Sequence, residues 1–267
     1  MRFLWPGLMV LVMMGCTDNA HRSTDLIQQM RQELTAGPPD SDAAVILAAA
    51  LADAAAAPAD GQSALLEAAI EQAAEARRFK PTLEAPLPGG WPAPSLPGLV
   101  RLKTYPSIRA AWTEQGDGRN GQFMTLFRHI KDRQIAMTAP VVMAYPPAEA
   151  APPGDALGEP VAMAFLYRQT TQDAAGPFGA VRVTDDPPLQ VVSVARKGMY
   201  SSGNFQASVA QLRAWLQAHP QWQPAGPPRV LAYNSPFMPF WMKYAEVQIP
   251  VRAAQRSRRL PPDRRSR

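Results

Sequence analysis

The stretch Ile135-Ala-Met-Thr-Ala-Pro-Val-Val-Met143 decides the fold, together with the segment that leads into it. Ile135 and Met137, then Val141 and Met143, alternate along the chain, the period of a strand with one face in a core. Pro140 lacks a backbone donor, so a strand over 135–144 is expected at a sheet edge or with a break at that residue. Upstream, Phe123, Leu126, Phe127 and Ile130 fall at i, i+3, i+4 and i+7, which predicts a helix over 122–131 with one buried stripe. Asp132-Arg133-Gln134 connects that helix to the strand.

Outward from this unit the pattern repeats. Extended segments are expected at 99–105, 108–113 and 161–168 in one half, and at 189–196, 229–234 and 244–251 in the other. A second helix over 205–218 has Asn204 as its N-cap and Phe205, Val209, Leu212 and Leu216 as its stripe. The last strand sets Ala245, Val247, Ile249 and Val251 against Glu246 and Gln248, the alternation of a half-buried antiparallel strand with its polar residues outside. Each half reads β-α-β-β. The fold class is α+β: a distorted antiparallel barrel or curved sheet from two halves, with two helices packed on it.

The flanks have other compositions. The 29 prolines exceed the usual share of about 5% and gather at 86–97, 146–160 and 224–239, marking loops and linkers. Residues 17–85 are an Ala-rich helical extension, with helices expected at 26–36 (capped by Thr24-Asp25), 42–57 and 63–79. Residues 86–97 read as a semi-rigid linker, and residues 98–251 as the main domain. The net charge is +5, but residues 252–267 hold seven Arg and one Asp, so the excess belongs to a tail expected to be disordered. That tail suits anionic lipid and implies no specific nucleic acid; the chain is expected to be a monomer.

Residues 1–16 read as a lipoprotein signal. Arg2 precedes an apolar run from Phe3 to Met14, and Gly15-Cys16 ends it, so cleavage leaves Cys16 as a lipidated first residue. The run is shorter than the roughly 20 residues of a spanning helix. A single cysteine excludes an intramolecular disulfide and a thiolate metal cluster. The expected location is the bacterial envelope, facing the periplasm or the exterior.

Five stretches together resemble the SOUL heme-binding protein family: Val100-Arg-Leu-Lys-Thr-Tyr-Pro106, the Phe123…Leu126…Ile130 helix, Ile135-Ala-Met-Thr-Ala-Pro-Val141, Leu189-Gln-Val-Val-Ser-Val-Ala195, and Tyr233-Asn-Ser-Pro with Glu246-Val247. The resemblance covers about residues 97–251. It implies a distorted barrel of two similar halves, related to a gyrase-inhibitory-protein-like fold, and it implies heme or tetrapyrrole binding. Certain members place a heme-ligating His just before the first-strand Tyr; here Thr104 precedes Tyr105. The implied mode is therefore a hydrophobic groove with weak or no axial ligand, and basic residues for the propionates.

The residues expected to bind the cofactor are Tyr105, Met137, Met143, Phe237, Phe240, Trp241 and Arg109, with His129 as a weak candidate ligand. Carboxylates of a bound macrocycle would pair with Arg109, Arg168, Arg182 or Lys197. By helical wheel His129 flanks the apolar stripe, so its plainer reading is a partly exposed surface residue. The turn Pro236-Phe-Met-Pro-Phe-Trp-Met242 holds more apolar area than a surface loop ordinarily shows. It reads equally as a cap on the core or as a lip for a ligand or membrane. An oily slot opening beside it is expected between the halves. Two alternatives stay open. One is a hydrolase or small-molecule-binding enzyme with Glu246 as general base, which requires a raised pKa. The other is a structural lipoprotein without ligand. The sequence holds no Ser-His-Asp or Cys-His set, no Gly-rich phosphate loop and no metal-spaced cluster.

Overall fold

The structure is a computed structural model; it describes residues 8–115, 118–147 and 158–254, with side chains from His21 onward. The 252–267 tail lies outside the described residues beyond Ala254, as do residues 1–7 of the signal. The chain divides into two compact units, 1–80 and 81–267.

The first unit is three helices: α1 (Leu8–Ala36), α2 (Asp42–Ala56) and α3 (Ala59–Arg78). Thr24-Asp25 is not a cap but lies inside α1, because no proline interrupts the helical run before Gly37-Pro38. Ser41 caps α2, its hydroxyl accepting from Ala44 N at 3.1 Å. Met30, Leu47 and Leu66 fill the interior, with alanines between them, and Arg77–Glu33 and Arg22–Glu67 pairs tie the outside. No helix among the described residues is long and apolar enough to cross a membrane.

The second unit contains ten strands and two helices among the described residues. In chain order they are β1 (Val100–Tyr105), β2 (Ile108–Thr113), α4 (Gly118–Asp132), β3 (Val141–Ala144), β4 (Ala162–Leu166), β5 (Gly176–Phe178), β6 (Val181–Asp186), β7 (Leu189–Lys197), α5 (Ser202–Ala218), β8 (Trp222–Pro224), β9 (Arg229–Ala232) and β10 (Tyr244–Ala253). The strand order is β1-β7-β10-β9-β3-β4-β2-β6-β5, with β8 on the end of β10, and every strand pairing is antiparallel. The sheet is open, not a closed barrel. The two halves meet at β3–β9. The first strand of each half pairs with the second strand of the other: β1 with β7, and β6 with β2. Each half is therefore β-β-α-β-β. Strand β6, whose Val181 and Val183 alternate with Arg182 and Thr184, is absent from the sequence reading.

The organising stretch is strand only in part. Ile135 to Pro140 has no ladder, and β3 begins after Pro140, whose peptide bond is cis. Instead Thr138 Oγ1 donates to Leu166 O at 2.6 Å and Ala139 N to Pro86 O at 3.0 Å, so these polar groups are satisfied outside a ladder.

Register sorts the two faces. Val192 and Val194 pair with Ile249 and Val247 and join the core with Leu126 and Ile130 of α4 and Phe205, Val209 and Leu212 of α5. The intervening Ser193, Ala195, Glu246 and Gln248 must point to the opposite face. That face is covered as well. Residues 86–97, expected as a semi-rigid linker, lie across it as a strap. Trp91 rests on Tyr105 with ring centroids 4.4 Å apart, Ser95 N donates to Glu246, and Gly98 N donates to Ala195 O. Apolar Trp91 and Leu96 leave water by doing so, which a solvated linker would not allow.

Candidate functional site

Glu246 is completely buried on the strap side of β10. Its neighbours come from four directions. Lys103 Nζ of β1 sits 2.7 Å from Oε1, Ser95 N of the strap 3.0 Å and the Tyr244 hydroxyl 2.9 Å. Oε2 receives the Ser193 hydroxyl at 3.2 Å, the Tyr105 hydroxyl at 3.3 Å and Gln248 Nε2 at 3.3 Å. Burial alone raises a carboxyl pKa, but here Lys103, the Ser95 amide and Tyr244 outweigh it, and Glu246 falls below its ordinary 4.5. A carboxylate so supplied with donors keeps its charge; it lacks the raised pKa that the general-base reading needs. Glu246 and Gln248 are also not the exposed positions that strand alternation implied, because the strap and β1 cover the second face.

Next to this cluster lies a cavity of about 190 Å³. Trp91, Tyr105, Trp112, Ile108 and Leu189 supply its walls, with Arg229 and Asp186 as its charged groups. Tyr105 links cavity and cluster: its hydroxyl accepts from Gln248 Nε2 at 2.7 Å, and burial beside the Glu246 charge pushes its pKa well up.

The turn 236–242 is the second feature. Asn234 roots it: Oδ1 accepts from Tyr244 N at 2.8 Å and Nδ2 donates to Thr82 O at 2.7 Å. The Tyr200 hydroxyl accepts from Asn234 N and donates to Tyr244 O, which explains the Tyr-Asn-Ser-Pro motif as a turn base. Above this base Phe237 is 94% exposed, Trp241 61% and Phe240 53%. Gly198 N donates to Lys243 O, bringing exposed Met199 alongside. The turn therefore projects from the core and does not cap it, since none of its large side chains is buried. It does not line this cavity, and among the described residues the space between helices and sheet is filled by core side chains.

Of the residues read from sequence, the structure brings Tyr105 and Glu246 together, keeps Phe237, Phe240 and Trp241 on the turn with the last two in ring contact, and places the others apart from both groups. Met143 is buried among the helix-facing core residues, and Met137 packs against that core. Arg109 is held by Asp185 through two contacts of 2.7 Å and by the Asp173 carbonyl, so it is not poised for a propionate. His129 is buried, where the wheel implied partial exposure, and Phe127 takes the exposed place. His129 Nε2 lies 3.0 Å from the Tyr167 hydroxyl and its ring packs on Phe178. Burial and the nearby Arg133 lower its pKa. His219 stacks on Trp215 and meets its carbonyl through Nδ1. Among the described residues no group of His, Cys, Asp and Glu is arranged to hold a metal. The sequence reading missed Trp91, Ser95, Lys103 and Arg229. The signal available for Lys103 was its place between Leu102 and Thr104 in a strand, with Arg101 and Tyr105 on the same face.

The model for the SOUL heme-binding protein family matches residues 100–250, which span the sheet, both helices and the turn. The chain belongs to this family. Solved structures similar to this SOUL chain include the EcmrR C-terminal domain, at 15% identity and a TM-score of 0.44, covering 58% of this chain and 98% of that one. Another is an uncharacterized conserved protein from Listeria innocua, at 9% identity, TM-score 0.43, covering 57% and 92%. A hydrolase from Listeria innocua has 7% identity and a TM-score of 0.42, covering 67% and 97%. No curated protein matches the sequence.

Proposed function

We propose that this SOUL protein binds heme or a related tetrapyrrole flat against the turn 236–242, with weak or no axial ligand from the protein. The observation that carries the reading is the exposure of Phe237, Phe240 and Trp241 on a turn anchored at its base by both side-chain polar groups of Asn234. Contiguous exposed apolar area of this kind marks a binding surface. Size favours the turn over the cavity: an apolar cavity of about 150 Å³ holds one benzene ring, so about 190 Å³ cannot enclose a macrocycle of four pyrroles. Lys243 closes the turn and Lys197 pairs opposite Tyr244, so two cations flank the lip for propionates. His129 and His219 are engaged inside the fold, which supports weak ligation; the thioethers of Met199 and Met242 are the soft donors at the lip.

The same proposal places the protein at the cell envelope, held by acyl chains on Cys16, with the Arg-rich tail against anionic lipid. What supports it is the apolar run ending in Gly15-Cys16 and the charge of residues 252–267. Mass spectrometry of the mature protein should find Cys16 acylated and first; an intact Met1 rejects the anchor. Titrating hemin into the full chain tests the ligand. A shifted Soret band is expected, lost in Phe237→Ser/Trp241→Ser. No shift at micromolar protein rejects tetrapyrrole binding.

A further inference from the structure

We propose that the cavity under the strap is a second, separate site, for a small planar carboxylate: one aromatic ring carrying a carboxylate group. The walls fix the size and the character of the body. About 190 Å³ is a little more than the roughly 150 Å³ that accommodates one benzene ring, leaving room for a small substituent. Two indoles, Trp91 and Trp112, face it with the Tyr105 ring and the aliphatic Ile108 and Leu189, a lining suited to a flat apolar ring.

The polar end is set by Arg229. Its Nε donates to Gln248 Oε1 at 2.9 Å and its guanidinium lies 5.4 Å from the centre of the Tyr105 ring. Its Nη2 is buried and meets no hydrogen-bond acceptor among the described residues. A guanidinium N–H buried without an acceptor is unfavourable, and a carboxylate is the acceptor whose geometry matches the guanidinium fork. The two carboxylates nearby are already engaged. Glu246 is closed around Lys103. Asp186 lines the cavity, but its Oδ2 accepts from Trp112 Nε1 at 3.0 Å and its Oδ1 from the Thr184 hydroxyl at 2.7 Å. Arg229 is thus the charged group with an unanswered donor, and an anion is the ligand that answers it. A cation would meet the Arg229 guanidinium at close range, and the carboxylate on the wall, Asp186, is already held by Trp112 and Thr184.

The test uses the full chain, with benzoate and indole-3-carboxylate as probes, and benzamide and benzylamine as uncharged and cationic controls. Tryptophan fluorescence and titration calorimetry read the binding. Benzoate should bind at least about tenfold more tightly than benzamide, the size of one charge-assisted contact, and benzylamine should not bind. Arg229→Gln should weaken benzoate at least about tenfold, leave benzamide unchanged, and leave the hemin titration unchanged. That last result separates this site from the turn. Should Arg229→Gln fail to fold, Leu189→Trp, which enlarges a wall residue of the cavity, should abolish benzoate binding and spare hemin. Equal affinity for benzoate and benzamide, benzoate binding that survives both substitutions, preference for benzylamine, or no binding of any probe at millimolar concentration would each overturn the assignment.

Discussion

Lys103 Nζ lies 2.7 Å from Glu246 Oε1, and neither side chain reaches solvent appreciably. The pair joins β1 to β10 across the intervening β7, and through Ser95 it also holds the strap. Two charges removed from water this completely are tolerated because each finds partners: Lys103 also donates to Ala93 O at 2.9 Å.

Lys103→Met strands a buried carboxylate. It should destabilise the protein by about 3–5 kcal/mol, the usual cost of breaking a buried pair from one side. Lys103→Met/Glu246→Gln should recover part of that loss in urea unfolding. If the double change is no better than the single, the two groups are not coupled.

Acid should act through the same carboxylate. Glu246 has a folded pKa below its ordinary 4.5, so the unfolded chain takes up this proton first. The stabilisation is complete above about pH 4.5 and is lost as pH falls through the lower folded value. Urea midpoints measured downward from pH 6 should fall in that window, and Glu246→Gln should flatten the fall. An unchanged slope in the variant would assign acid sensitivity elsewhere.

Trp91 belongs to the strap yet is 8% exposed and packs at a tilt against the Tyr105 ring. Trp91→Ala should cost about 3–5 kcal/mol, as for a large aromatic removed from a core. A thermal melt within a degree of the parent would return residues 86–97 to the status of a spacer.

The turn should behave in the opposite way. Phe237→Ser and Trp241→Ser remove side chains that water already reaches, so stability should move by no more than about 0.5 kcal/mol. Hemin affinity should fall at least about tenfold, roughly what losing 1.4 kcal/mol of contact produces. Loss of stability without loss of hemin would make the turn a structural cap.

His129→Gln should leave the hemin spectrum unchanged, because the imidazole is committed to Tyr167 within the fold. A displaced Soret band in that variant would identify His129 as an iron ligand.

The legible parts of this protein are those set by neighbours in sequence. The stripe of α5, with Phe205, Val209, Leu212 and Leu216 all buried, follows from helical spacing. So does the core face of β10, where Val247 and Ile249 alternate as read. The break at Pro140 follows from a missing donor. Phe127 and His129 exchanged their expected exposures because the helix rotates to pack on β2, β4 and β6, and only those strands decide which edge of the stripe is covered.

What the chain dictated locally was two similar halves, their helices and the apolar turn, since backbone period and proline geometry act over a few residues. What tertiary structure alone decided was the buried side of Glu246. Ser95 and Lys103 lie 151 and 143 residues away from it in the chain. A strand's period says which residues share a face. Whether that face meets water depends on what distant segment crosses it, and here a proline-rich strap does.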